Sequence, residues 1–380
     1  MLDTDTSQID HPRTGLRNPR SGARLLKLGV AATALALVLS GCGGTGDPSA
    51  QTAQPTPEAF AVTGDPLAPN PLPEKTTIVV GVGKQLEVYA QYMMALAEGE
   101  FAKENLVVET QDVLESDKLA LLSQGRMDLG YNAMTAGLLN LMATGAGIKV
   151  AFPGAAYAPV SKQGYWFNKD AFGADGPQAS ELKGKTILTP SGNASISAYY
   201  LWQWAHKNDP SLQLSDLKFQ VMKPNEIALA MSNGAADVAQ VTSPGSAMLD
   251  KDPCCVFVDT DFPSYTLVGW VGSEKFLNEK PDVAMAFFRA IARTQRSYLQ
   301  GDYHANPDVA AKLADQMGIT TDRIKELPNL LFDSNFGLGE KNLEAQAYWR
   351  ELGLLTYPTD MTADQVYDTR YVDVLGGSTS

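Results

Sequence analysis

An eight-residue pattern occurs twice in this chain, 109 residues apart. It reads Ser123-Gln124-Gly125-Arg126-Met127-Asp128-Leu129-Gly130, then Ser232-Asn233-Gly234-Ala235-Ala236-Asp237-Val238-Ala239. Each copy closes a short Ala/Leu-rich stretch, and Ser116 and Asn225 stand where an N-cap belongs. Gly125 and Gly234 suit the left-handed residue that ends a helix, and the Asp leads into a short strand with small residues. Two copies of helix, Gly, Asp and strand predict two α/β lobes of similar build.

The rest of the chain fits parallel βαβ units. Residues 76–82 read as a buried first strand. Tyr89, Met93, Leu96, Ala97 and Phe101 then recur at helical spacing, predicting a helix that ends near Lys103. Asn105 is placed for a left-handed turn before a second strand at 106–109. Residues 182–189 lead into Pro190-Ser191-Gly192-Asn193-Ala194-Ser195 and a helix from Ile196 to about Lys207. After the second copy come Thr242-Ser243-Pro244, the segment 254–258 and a return strand at 265–271. The remainder is mostly helical: Pro281 and Pro307 fit first turns, Asn306 caps the second of these, and Gly318 and Gly353 stop later helices.

Charge narrows the function. Residues 1–41 hold five basic and three acidic residues of the chain's 30 and 43, leaving 25 against 40 and a net charge of −15 on the rest. An acidic body argues against nucleic acid and against direct adhesion to anionic lipid. A folded part of about 300 residues is large for one simple core and suits two lobes. Cys254 and Cys255 are adjacent and can close only a strained ring, so semi-buried thiols are expected rather than a disulfide. His11, His206 and His304 are scattered, and no Cys/His pair has metal-ligand spacing. No Gly-x-Ser-x-Gly elbow, phosphate loop or His-centred triad is visible. No catalytic residue, metal or cofactor is assigned.

The N-terminus bears on location. Arg13, Arg17, Arg20, Arg24 and Lys27 precede an uncharged Leu/Ala/Val-rich run at 28–41, the order of a secretory signal. As a helix this run reaches about 21 Å, short of the roughly 30 Å hydrocarbon core. Leu39-Ser40-Gly41-Cys42 resembles the lipobox of bacterial lipoproteins, which implies that Cys42 is lipidated and becomes the mature N-terminus. One acyl chain holds only marginally, so a multiply acylated Cys42 makes the stable anchor. Residues 43–75 contain seven prolines and no apolar period, so 42–75 is expected to be an unfolded tether. As a flexible coil its ends would sit roughly 30 Å apart.

The segments 120–130, 181–185 (Glu-Leu-Lys-Gly-Lys), 230–241 and 281–290 (Pro-Asp-Val-Ala-x-x-Phe-x-x-Ala), in this order, resemble the solute-binding proteins of ABC importers. The branch is the one with nitrate-, sulfonate-, taurine- and thiamine-pyrimidine-binding members, and the likeness spans 76–376. It implies an α/β, two-lobed periplasmic-binding-protein-like fold of type II. Each lobe would be a mostly parallel sheet flanked by helices, with two crossing segments joining them and a small polar solute clamped between. Lobe one is expected at 76–160 and 262–376, lobe two at 161–261, and 377–380 as a short tail. The likeness also implies a monomeric, non-enzymatic protein on the extracytoplasmic face, serving a membrane permease and its ATPase. The chain departs from the pattern at Glu104-Asn105-Leu106, where Gly is usual before Leu, and at Thr189-Pro190-Ser191-Gly192-Asn193, where Gly-Ser-Thr-like loops are common. An enzyme on the same fold is the alternative. The thiamine-pyrimidine synthases are similar, but they carry a longer cysteine-rich run and a lysine-held pyridoxal phosphate, of which Cys254-Cys255 is a faint echo.

In open parallel α/β sheets, ligands bind outside the carboxyl ends of strands, where helix N-termini offer unpaired amides. Those ends supply Gln85, Glu87, Tyr89, Asn132, Thr135, Ser191, Asn193, Ser195, Thr242 and Ser243 as candidate ligand residues. Each has a plainer reading. Ser191, Asn193, Ser195, Asn132 and Thr135 also suit helix caps, Thr242 and Ser243 suit a hinge, and Tyr89 shares a core stripe with Met93. Glu87 is read either as an exposed first-turn carboxylate or as a partner for an amine-bearing solute. Tyr165 and Trp166 fit core packing, with stacking on a ligand the alternative, and Trp202 and Trp204 fit core or groove packing on a lobe-two helix.

Overall fold

The computed structural model describes residues 64–83, 86–113, 115–158, 161–262 and 268–376. The signal run, Cys42 and most of the tether lie outside them. Two five-stranded sheets organise the body. The first contains β1 (Thr76–Val82), β2 (Leu106–Asp112), β3 (Leu129–Ala133) and β4 (Ile148–Pro153), and the chain then forms the short β5 (Ala155–Tyr157). The second contains β6 (Gly164–Asn168), β7 (Thr186–Thr189), β8 (Lys218–Val221), β9 (Val238–Val241) and β10 (Cys255–Phe257). The chain returns to the first sheet as β11 (Val268–Ser273), and β12 (Leu330–Phe332) pairs antiparallel with β5.

The first sheet is ordered β2-β1-β3-β11-β4, and the second, read from its β8 edge, β8-β7-β9-β6-β10. The two orders are equivalent. In each, the first three strands run parallel. The fourth is antiparallel to both neighbours, and comes from the chain arriving in the second sheet and returning to the first. Two crossings follow directly from this order, one between β5 and β6, the other between β10 and β11.

The repeated octapeptide builds the same clasp in both sheets. Val79 N–H donates to Asp128 Oδ2 at 2.8 Å, and Thr186 N–H donates to Asp237 Oδ2 at 2.8 Å. The return bonds run from Asp128 N–H to Val79 O and from Asp237 N–H to Thr186 O. A carboxylate on the residue just before β3, and just before β9, therefore fixes where each strand meets its central neighbour. Gly125 and Gly234 make the turn into the clasp at φ of +64° and +70°.

Four local expectations are corrected. The first helix is shorter than its stripe: a 3-10 turn, Glu87–Tyr89, leads into Ala90–Ala97, and Gly99 at φ +66° ends it. Phe101 is reached by the following turn and still packs inward, 5.1 Å from Phe287. Ser116 and Asn225 are not N-caps: the helix Glu115–Ser123 starts before Ser116. The helix Pro224–Ser232 is preceded by Lys223, with Pro224 at its first position. Cys254 and Cys255 are joined in a disulfide, with Cα atoms 3.7 Å apart, at the entry to β10, where the backbone accepts the small ring. The last part of the tether is folded. Leu67 and Leu72 are buried, Arg293 donates to Leu67 O and Arg289 to Asn70 O. Prolines hold this segment extended in advance, and the buried guanidinium groups need carbonyl acceptors.

The first sheet's core is aromatic, built from Trp270, Tyr131, Phe152, Phe287 and Phe288 against the helix Pro281–Tyr298. Separate apolar clusters, one including Trp166 and the other Tyr165, cover the second sheet. Among the described residues, no helix is long and apolar enough to cross a membrane.

Candidate functional site

Strands β1, β3, β7 and β9 each end in a loop that feeds a helix, and loops of the two lobes touch. Thr135, after β3, forms an antiparallel bridge with Ser195, after β7, and Ile196 N–H donates to Met134 O at 3.2 Å. Ser243, after β9, donates its hydroxyl to Glu87 Oε2 at 2.6 Å. The carboxyl ends of both sheets therefore face a common seam.

Glu87 is fully buried. Its Oε1 accepts from the Tyr303 hydroxyl and lies 2.7 Å from His304 Nε2, where no hydrogen bond of good geometry forms. His304 Nδ1 is 3.0 Å from Leu327 O, and since a carbonyl only accepts, that nitrogen carries a proton. Tyr303 also accepts from Leu330 N–H, and burial, then the Glu87 charge, pushes its phenol far above the ordinary range. The phenol is thus a fixed donor, and both Glu87 oxygens are held by protein groups from two lobes. This removes the reading of Glu87 as an exposed first-turn carboxylate.

The other candidates divide clearly. Gln85 lies outside the described residues. Thr135 and Ser195 are true caps: Thr135 Oγ1 accepts from Leu138 N–H, and Ser195 Oγ accepts from Ala198 N–H, both at 3.1 Å. Tyr89 is buried against Tyr131, with ring centroids 5.1 Å apart, and Asn132 is buried on the same strand end. Ser191 and Asn193 flank and occupy the turn Gly192–Ala194, half-exposed, and Thr242 is half-exposed beside buried Ser243. Tyr165 and Trp166 are core residues.

Some residues at the seam escape sequence patterns. Gln163 accepts from Ser243 N–H at 3.1 Å, while its buried Nε2 has no hydrogen-bond partner. Tyr303 and His304 arrive from more than 200 residues away in sequence. Lys118 is buried, donates to Tyr131 O and sits 5.7 Å from the Tyr89 ring. A sequence signal existed for Lys118, because it stands four residues before the buried Leu122 on one helix face. Among the described residues, no group of three or more His, Cys, Asp or Glu could hold a metal ion.

Comparison with known proteins adds three findings. The model of a family described as NMT1/THI5 like matches residues 87–305. No curated protein matches the chain in sequence. Solved structures share the fold at low identity. The alkanesulfonate-binding protein of Xanthomonas axonopodis pv. citri, bound to MOPS, superposes with a TM-score of 0.60 at 12% identity, over 78% of this chain and 100% of its own. The periplasmic aliphatic sulphonate binding protein of Escherichia coli gives 0.55 at 15%, over 76% and 96%. The periplasmic nitrate-binding protein of Synechocystis PCC 6803 gives 0.58 at 13%, over 80% and 88%. The chain has the two-lobed periplasmic-binding-protein-like fold.

Proposed function

The chain belongs to the NMT1/THI5-like family, and on that premise we propose that it is the solute-binding component of an ABC importer, held by lipid on the extracytoplasmic face. The observation that carries this reading is the meeting of four strand-end loops from two equivalently ordered sheets, with Glu87 and Ser243 bonded across the seam. Such a seam can open to admit a small polar solute and close around it. Lobe one is 76–160 with 262–376, and lobe two is 161–261. Gln85, Tyr89, Asn132, Ser191, Asn193 and Thr242 line the solute, Thr135 and Ser195 set the helix N-termini towards it, and Glu87 with Ser243 holds the closed form.

The solute carries an acidic group. Lys118, itself bonded to Tyr131 O, supports this by placing a positive charge beside Tyr89 and the β3 strand end. Sulfonates, taurine and nitrate are therefore the first solutes to test, with pyrimidines as the uncharged comparison. The protein acts as a monomer, without enzymatic turnover, and hands its solute to a permease driven by an ATPase. Acylated Cys42 and the proline-rich segment hold the body at the membrane.

Thermal-shift screening of the mature protein tests the solute. A ligand at a hundred times its Kd adds about 2.7 kcal/mol to the folded state, a rise of a few degrees for a body of this size. Stabilisation by pyrimidines and not by any anion would refute the acidic-solute reading. Cys42→Ser should leave an unprocessed, unlipidated precursor with an unchanged body. An unmodified Cys42 in the wild-type protein, seen by mass spectrometry, would remove the anchor from the account.

A further inference from the structure

Away from the strand-end loops, the helices Ile196–Asn208 and Ala345–Glu351 leave a groove of about 600 Å³ between them. Tyr199, Trp202 and His206 face it from the first helix, Tyr348 and Glu351 from the second, and Glu344 from the turn just before the second. The spacing on each side is that of one helix face, so two faces confront each other without closing. Small Ala347 sits between the acidic ends of its face, opposite large aromatic side chains, which accounts for the hole. None of the ten candidate solute residues lines it.

Two features show that the groove is not simply imperfect packing. Tyr348 is 4% exposed and Thr260, at the end of the groove, is 1% exposed, yet neither hydroxyl has a hydrogen-bond partner. Buried hydroxyls without partners are costly, and two of them line one cavity. The charge is also one-sided. Lys207 is paired with Asp261 at 2.7 Å, whereas Glu344 and Glu351 form no ion pair with a described residue. The walls are aromatic, with the Trp202 indole stacked on His206 at 4.7 Å and Tyr199 5.8 Å from Tyr348.

We propose that this groove is a second ligand site, selective for an organic cation: an ammonium or guanidinium carried on a ring or short chain. Aromatic faces attract a cation through their quadrupoles. Glu344 and Glu351 supply the opposing charge at the groove's exposed rim, while the enclosed Tyr348 and Thr260 hydroxyls become available only if the walls move apart. The site stands apart from the strand-end loops, but its two helices belong to different lobes, so lobe closure over a solute would alter its width.

The test is a titration of the mature full-length protein with benzyltrimethylammonium, followed by tryptophan fluorescence and calorimetry, with benzyl alcohol as the neutral ligand bearing the same ring. The cation should saturate one site and bind at least about tenfold more tightly than the alcohol. The double variant Glu344→Gln/Glu351→Gln, altered only at exposed side chains, should weaken it about tenfold, and Trp202→Leu should remove most of the fluorescence response. Glu109→Gln, which removes an exposed carboxylate on β2 far from the groove lining, should leave it unchanged. Absence of saturable binding, equal binding of the alcohol, or an equal loss in Glu109→Gln and the double variant would each overturn the proposal.

Discussion

The two lobes share one strand order and one carboxylate clasp, and differ in what fastens them. In lobe one, Glu104 and Glu100 are buried with Arg289 and Arg293. That network joins the helix Pro281–Tyr298, the turn before β2 and the N-terminal segment at Leu67 and Asn70. In lobe two the ion pairs are at the surface: Lys183–Asp216 and Lys207–Asp261 each hold a lysine whose side chain is 70% exposed. Strand order and clasp are requirements of the sheet and occur in both lobes. The buried ions belong to lobe one alone, which must gather three distant stretches of chain around its sheet.

The sharpest way to break this comparison is to remove one ion from each lobe. Arg289→Ala leaves Glu104 buried without its bidentate partner and should cost about 3–5 kcal/mol, read by denaturant unfolding. Lys183→Ala should leave the midpoint unchanged within error. Equal effects would mean that the lobes are not fastened differently. A smaller and symmetrical effect is expected from the clasps. Asp128→Ala and Asp237→Ala each lose a charge-assisted bond to a strand N–H and should each cost about 1.5–3 kcal/mol. A loss confined to one lobe would show that the octapeptides are alike only in sequence.

Acid should act first on lobe one. Burial raises the pKa of Glu100, but hydrogen bonds from Lys103 and Arg293, with their charges, outweigh it and hold the carboxyl below its ordinary 4.5. A carboxylate depressed on folding contributes stability above its unfolded pKa and loses it as pH falls through the folded value. Stability should therefore decline below about pH 4.5, and Glu100→Gln should flatten that decline. An identical acid limb in the variant would assign the loss to other carboxylates.

Much of the fold was legible because short-range chemistry writes it. The octapeptides, Asn105 at φ +57°, Pro281, Pro307 and Asn306 stand where turn and cap preferences place them. The first helix was overextended because Phe101 continues the apolar stripe past Gly99, and burial alone does not reveal that the backbone has turned. The tether hid its folded end because Leu67 and Leu72 are isolated apolar residues among prolines, and their burial depends on arginines some 220 residues on. The site was legible as loops but not as partners. Strand ends pointed to Glu87, Thr135, Ser195 and Ser243, whereas Tyr303, His304 and Gln163 are joined to them only by tertiary folding.

The central claim is that an acidic solute closes the two lobes over the seam joined by Glu87 and Ser243. Small-angle scattering of the mature protein, with and without a solute identified by thermal shift, tests it most directly. The account predicts a smaller radius of gyration with solute bound, and a reduced compaction in Ser243→Ala at equal occupancy. Calorimetric saturation of the wild-type protein with no change in its scattering curve would contradict it.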